Sequence, residues 1–211
     1  MNEIVSQIGQ KIQTANRILV VSHVRPDGDA IGSCLGLGLA LRAAGKQVQT
    51  VLTDGLPASF RHLPGSQDVQ KKPEGEFDLF ITVDCADFRR TGQQFESFPR
   101  PDINIDHHIT NERFGGLNLI EPEAVATCAI LTEHLPAWGL TISREVAACL
   151  ATGIVTDTLG FRTSNTSPAA LRQAAALMET GINLPELYDI ALNRRSYPAA
   201  RYWGAGLSRL T

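Results

Sequence analysis

The chain has 211 residues, 43% hydrophobic and 19% charged, which excludes a disordered or fibrous protein and fits one globular domain with a small appendage. A net charge of −3 leaves no broad basic face for duplex DNA, so any nucleic-acid partner is short and any basic groove local. The opening MNEIVSQIGQK lacks an apolar leader with a cleavage site, and the longest apolar stretch, Ala30 to Leu41, is too short to cross a bilayer. Cys34, Cys85, Cys128 and Cys149 are scattered through apolar segments without a C-x-x-C pair, a pattern of buried reduced thiols rather than disulfides or a zinc knuckle. These features predict a cytoplasmic protein with no membrane partner.

In chain order, Ile4, Ile8 and Ile12 mark one helical stripe, and the continuous apolar run Arg17–Ser22 predicts a strand buried on both faces. The polar turn His23-Val-Arg-Pro-Asp-Gly-Asp29 follows. Ala30 to Ala44 reads as a helix closed by Gly45, with strands over Gln47–Thr53, Phe77–Val83, Asp102–Ile105 and Leu117–Ile120. After Pro122 one helical stripe runs through Ala124, Cys128, Leu131 and Leu135, and another through Val146, Cys149 and Leu150. Ser167-Pro168 starts a helix that Gly181 ends. Tyr197 to Leu210 predicts a last helix whose apolar residues, Tyr202, Trp203, Leu207 and Leu210, pack on another surface. The alternation of strands and helices predicts an α/β fold, a parallel sheet flanked by helices.

Two nucleotide fingerprints are missing. Gly36 and Gly38 lack a third glycine at Leu41 and lie within a helical pattern, and a P-loop ending at Gly45-Lys46 would need glycine where Ala40 stands. The chemistry lies in acids and histidines that follow predicted strands: His23, Asp27 and Asp29 after the first, Asp84 after the third, and Asp106-His107-His108 after the fourth. A parallel sheet brings these ends to one edge, where open α/β sheets build their sites. Asp157, at the end of an apolar helical run, is a further carboxylate for that cleft. So many carboxylates repel one another, and two divalent cations would neutralise them. Mixed carboxylate and imidazole ligands favour manganese, and a dinuclear centre of this kind activates water and clamps a phosphoryl oxygen. Taken singly, Asp29 also reads as a helix N-cap, Asp84 and Asp106 as turn residues and His23 as a hydrogen-bonded sheet-edge histidine. His62 and His134 read as surface histidines. Arg162, soon after Asp157, fits a phosphate and a neighbouring acid equally well.

The chain resembles the DHH phosphoesterase superfamily, in its bacterial branch of nanoRNase and pAp phosphatase. The likeness rests on Ser22-His-Val-Arg-Pro-Asp-Gly-Asp-Ala-Ile-Gly32, Val83-Asp84, Asn104-Ile-Asp-His-His108, Thr152-Gly-Ile-Val-Thr-Asp157 and Phe161-Arg-Thr-Ser-Asn-Thr166, in the family's order and spacing. The resemblance implies that His23, Asp27 and Asp84 hold one metal, and that Asp29, Asp84, His107 and Asp157 hold the second, with Asp84 bridging. It also implies that His108 faces the substrate phosphate, Asp106 orients the histidines, and hydrolysis proceeds by a two-metal hydroxide mechanism. The implied substrates are short single-stranded oligonucleotides or nucleotide bisphosphates such as pAp. A pyrophosphatase or polyphosphatase of the same superfamily, and a nucleotide-binding module with little turnover, are the alternatives, and the intact His108 speaks against the module. The reading divides the sequence into a catalytic domain, 1–190, and the start of a connecting helix, 191–211, without the glycine-rich C-terminal substrate domain usual in the branch. Weak, poorly discriminating hydrolysis and self-association, for instance as a homodimer, are the expectations from that division. Cys85 stands where the branch more often has a small hydroxyl residue.

Overall fold

The computed structural model describes residues 2–194 and 197–209. The first helical stripe forms α1 (Asn2–Thr14), and the apolar run after it forms β1 (Arg17–Val21). With β2 (Gln47–Val51), β3 (Val69–Gln70), β4 (Leu79–Val83), β5 (Ile103–Asp106) and β6 (Leu117–Ile120) it makes a six-stranded sheet in the order β3-β2-β1-β4-β5-β6. Every pairing is parallel, as the α/β reading requires. The strand order turns back between β1 and β4, and such a switch point opens a crevice at the carboxyl ends of the strands.

The remaining helices are α2 (Gly28–Ala43), α3 (Thr127–His134), α4 (Arg144–Asp157), α5 (Pro168–Glu179), α6 (Leu184–Tyr188) and α7 (Tyr197–Leu207). Side chains alternate across each strand, so the sheet has two unlike faces. Ile18, Val20, Ile81, Val83, Ile103, Ile105 and Leu119 point into one large core built with residues of α1 to α5. Leu19, Val21, Val51 and Phe80 point to the other face, covered by Phe88 and Phe95 from two short 3₁₀ turns, Phe88–Thr91 and Gln93–Phe95.

Helix α2 is buried on almost every side, and Ile31, Leu35, Leu37 and Leu41 are wholly inaccessible. Each such side chain contributes about 1.5–3 kcal/mol relative to an exposed one. It reaches that depth because α4 lies directly against it. A Cβ on Gly32 would stand 2.5 Å from the Cys149 carbonyl oxygen, and one on Gly153 would stand 2.2 Å from Cys128 Sγ.

Several boundaries and placements differ from the sequence reading. Helix α2 starts two residues before Ala30, because Asp27 rather than Asp29 is its cap. The two-residue β3 has no periodicity to announce it. His134 is half-buried, bonded through Nε2 to Glu121 Oε1 at 2.8 Å and stacked against Trp138, rather than a surface group. The aromatic residues of α7 are not packed away: Tyr202, Trp203 and Leu207 are exposed, and Leu210 lies outside the described residues. All four cysteines are free and buried, as expected. No described helix is long and apolar enough to cross a membrane.

Candidate metal centre

The loop after β1 is fastened from two sides. Val24 N–H donates to the Arg90 carbonyl at 2.6 Å, and Arg25 N–H donates to Asp54 Oδ2 at 2.6 Å. Arg25 stands just before Pro26 at φ +54°, a strained conformation for a non-glycine residue that its neighbours must hold. Asp27 then caps α2, its Oδ1 accepting from Asp29 N–H and Ala30 N–H. Its Oδ2 lies 3.8 Å from His23 Nε2. Asp29, buried in the first turn of α2, accepts from Thr127 N–H at 2.6 Å and Cys128 N–H at 2.9 Å. Ala126, at the N-cap of α3, has no side chain to do this, so a carboxylate from a distant part of the chain satisfies that helix end. Asp29 is thus a cap, though of a different helix from the one beside it in sequence.

Asp84 follows β4 at φ +54°, with its N–H donated to the Ile105 carbonyl of β5. Aspartate tolerates this left-handed conformation better than most residues. Its Oδ1 accepts from Thr127 Oγ1 at 3.1 Å. Its Oδ2 is buried without a hydrogen bond, 3.4 Å from His23 Nε2. His107 Nε2 faces three carboxylates, at 3.7 Å from Asp84 Oδ1, 3.9 Å from Asp29 Oδ2 and 3.5 Å from Asp157 Oδ2. Both imidazoles present Nε2 for the same reason. Nδ1 of His23 lies 2.9 Å from the Val24 carbonyl and Nδ1 of His107 lies 3.3 Å from the Ala124 carbonyl. A carbonyl only accepts, so each Nδ1 carries a proton, and in the neutral ring it is Nε2 that offers a lone pair.

Asp106 is different. Its Oδ1 accepts from His108 Nδ1 at 2.7 Å and from His107 N–H at 2.9 Å, and its Oδ2 accepts from Asn111 Nδ2 at 2.6 Å. Both oxygens are occupied by donors. His108 is held by this bond and makes no hydrogen bond through Nε2 among the described residues.

The charges in the cluster act on one another. Burial pushes Asp29 well above the usual carboxylate range, reinforced by Asp84 and Asp157. Burial and the Asp84 and Asp27 charges push Asp157 up to about 6, against the pull of His107. Burial also disfavours charge on Asp84, but contact with His23 and the nearby His107 and His108 hold it below the ordinary range. The hydrogen bond to Asp106 raises His108 above the usual imidazole value, although burial opposes it.

The donor set fits divalent cations. His23, Asp27 and Asp84 offer ligand atoms within 4.8 Å of one another, and so do Asp29, His107 and Asp157. The unpartnered Asp84 Oδ2 and the two imidazole lone pairs are atoms that a cation would satisfy. Asp84, Asp106, His107 and His108 form a further close group, within which Asp106 is already saturated by donors.

All the acids and histidines singled out in the sequence therefore meet at one sheet edge. Arg162 is exposed on the turn after α4, with its N–H on the Thr158 carbonyl and no ion pair among the described residues. Thr127 and Asn111 were not anticipated. A threonine opening a helical stretch reads only as a helix start, and nothing in sequence ties it to Asp84 forty-three residues away.

The profile of the DHH family, N-terminal domain, matches residues 17–154. The chain belongs to the DHH family. Among relatives of this DHH chain, the bifunctional oligoribonuclease and PAP phosphatase NrnA of Thermus thermophilus is 41% identical over 177 residues, which cover 82% of this chain and 52% of that protein. A probable manganese-dependent inorganic pyrophosphatase of Lactococcus lactis is 26% identical over 197 residues, 84% of this chain and 60% of that one. The crystal structure of an exopolyphosphatase-related protein from Bacteroides fragilis superposes with a TM-score of 0.89 at 28% identity, over 99% of this chain and 66% of that one. The DHH chain thus spans about half the length of the NrnA protein it matches.

Proposed function

We propose that residues 1–190 form the catalytic unit of a phosphohydrolase that uses two divalent cations, manganese in the first place, on short single-stranded oligonucleotides and nucleotide bisphosphates of the pAp type. The observation that carries this reading is Asp84, buried between two imidazoles with one oxygen unpartnered. His23, Asp27 and Asp84 would hold one cation, and Asp29, Asp84, His107 and Asp157 the other. Bound there, the cations would activate water and draw charge from the phosphoryl oxygens. The manganese-dependent relative supports the choice of metal, and the NrnA relative supports the substrates. Four buried free thiols support the reducing cytoplasm as its compartment.

The chain's own groups have distinct tasks. Thr127 Oγ1 holds one oxygen of Asp84, which leaves the other for a ligand role. Asp106 holds the His108 ring by Nδ1, so that Nε2 faces the substrate. The bond to Asp106 favours a proton on His108, which can pass from that ring to the leaving oxygen. Asn111 neutralises no charge but fixes the second oxygen of Asp106.

Hydrolysis of a panel of pAp, dinucleotides, cyclic dinucleotides and pyrophosphate with added manganese tests the reading. Phosphate release or cleavage from the nucleotide substrates that vanishes on chelation supports it. Turnover of pyrophosphate alone would move the chain to the pyrophosphatase branch. Manganese uptake without any turnover would favour the nucleotide-binding module.

A further inference from the structure

Asp157 differs from the other carboxylates of the cluster. Asp27, Asp29, Asp84 and Asp106 each accept at least one hydrogen bond from a fixed donor, whereas the Asp157 carboxylate accepts none among the described residues and lies 3.5 Å from His107 Nε2. It is also the last residue of α4, where the free carbonyls of a helix form a negative end that repels an acid. Its place therefore depends on how the backbone beyond it is held.

That backbone takes an uncommon course. Leu159, Gly160 and Phe161 follow one another in the left-handed region, at φ +48°, +73° and +65°, and a leucine or phenylalanine stays there only where its surroundings hold it. Leu159 N–H reaches the Thr156 carbonyl at 3.1 Å and Gly160 N–H the Val155 carbonyl at 2.7 Å, the paired bonds of a Schellman cap with leucine where glycine is usual. Thr158, wholly buried, ties the turn from within: its Oγ1 donates to the Ile154 carbonyl at 2.6 Å and accepts from Phe161 N–H at 2.9 Å. An apolar contact from the second residue past the cap commonly completes this motif, but here that residue is Gly160. Tyr188 fills the place. A Cβ built on Gly160 would overlap Tyr188 Cε2 and stand 2.9 Å from its Cζ and 3.0 Å from its hydroxyl oxygen, so the ring lies against the bare backbone of the turn. Tyr188 closes α6, whose Leu184 and Leu187 pack on the core and whose start is capped by Asn183.

We propose that Tyr188 is a positioning residue for Asp157: its ring clamps the strained cap of α4 and so fixes the backbone from which Asp157 faces His107. The proposal rests on the two-metal reading and adds to it a residue from outside the sheet edge. The carboxylate stays free to turn about its own side-chain bonds, while the ring sets the point from which it turns. Without the ring the three left-handed residues relax and the last turn of α4 frays. The cation that Asp29, Asp84, His107 and Asp157 would hold then loses its least supported ligand, whereas the cation at His23, Asp27 and Asp84 keeps all of its own.

Manganese binding isotherms and electron paramagnetic resonance on the full chain, with amide hydrogen exchange on the metal-free chain, test this in Tyr188→Ala, Tyr188→Phe and Leu187→Ala. Tyr188→Ala weakens one of the two manganese steps about tenfold or more and leaves the other unchanged. At the same manganese concentration its spectrum changes from that of a coupled pair to that of single ions. Tyr188→Phe keeps the ring and matches wild type. Leu187→Ala loosens the same helix but keeps the ring, so it lowers the melting temperature and leaves both steps as they were. Without metal, the Leu159 and Gly160 amides exchange about tenfold or more faster in Tyr188→Ala, while those in the middle of α4 do not. Unchanged steps in Tyr188→Ala, equal weakening of both steps, or the same loss in Tyr188→Phe or Leu187→Ala overturns the positioning role. A wild type that binds fewer than two manganese ions overturns the two-metal reading instead. The exchange measurement then decides the clamp: faster exchange of Leu159 and Gly160 in Tyr188→Ala upholds it, and unchanged protection rejects it.

Discussion

The floor and the rim of the metal centre are built on opposite principles. Asp29, Asp84 and Asp106 form the floor, each no more than 1% exposed, and almost every oxygen there has a fixed donor. Asp27, with 61% of its side chain exposed, and His108, with 36%, form the rim, together with Asp157. Buried carboxylates survive only where hydrogen bonds or cations compensate them, so the floor is rigid and its geometry precedes any ligand. The rim retains water and can follow a substrate. A change in a carboxylate that would hold a cation, on floor or rim, should therefore be felt in metal content, and a change in His108 in turnover.

The largest expected effect breaks the floor. Asp84→Asn removes the charge shared by both ligand groups and should abolish the metal pair, read as bound manganese per chain by elemental analysis. Two ions still bound in that variant would refute the bridging role. Next, His107→Ala should lose one ion, whereas His108→Ala should keep both and lose roughly two or more orders of magnitude in turnover. Equal metal content in these two variants would erase the distinction between the ligand His107 and the substrate-facing His108. Smaller still, Thr127→Val keeps the shape but strips Asp84 Oδ1 of its donor, and manganese affinity should fall about tenfold in a binding isotherm.

Acidity gives a graded test of the same comparison. Asp157, raised to about 6, and Asp29, raised well above its usual range, hold protons in the metal-free fold that they release when unfolded, near pH 4. For Asp157 this contribution to stability is full below about pH 4 and lost as the pH rises through about 6, and Asp29 acts in the same direction. His23 and His108, also raised, act in the same direction at higher pH, while the lowered Asp84 acts against it. The rise in melting temperature on adding manganese should accordingly grow from pH 5 to pH 7, and Asp157→Asn should flatten that growth. A manganese-induced shift independent of pH would contradict the charge arrangement. The smallest effect concerns the strained Arg25. Asp54→Ala frees its N–H and should weaken manganese binding only a few-fold, and Asp54→Asn, which keeps an acceptor, should restore it.

Much of this was legible in the sequence because it depends on local pattern. The continuous run at Arg17–Val21 has to be a two-sided strand, and Ser167 before Pro168 has to open a helix. The convergence of His23, Asp84 and His107 followed from parallel strands sharing an edge. What was hidden depends on pairs distant in sequence. Asp29 reads as the cap of the helix that follows it, and only the approach of α3 decides that it serves a helix ninety-eight residues away while Asp27 caps α2. His134 misled for the opposite reason: its position near a helix end suits solvent, but Glu121 and Trp138 enclose it.

The contact between α2 and α4 has a consequence for how the centre tolerates mutation. Asp29 stands in the first turn of α2 and Asp157 closes α4, so the two helices run past each other in opposite directions and the distance between these carboxylates is the thickness of the seam that joins them. At Gly153 that seam is bare backbone, and a methyl group there would meet Asp29 Oδ1 at 2.7 Å as well as Cys128 Sγ. The rear wall of the centre is thus a spacer with no side chain to trim. Alanine at position 153, a substitution that favours helices almost everywhere else, would act here as a wedge driven in from behind, parting the ligands without altering any of them.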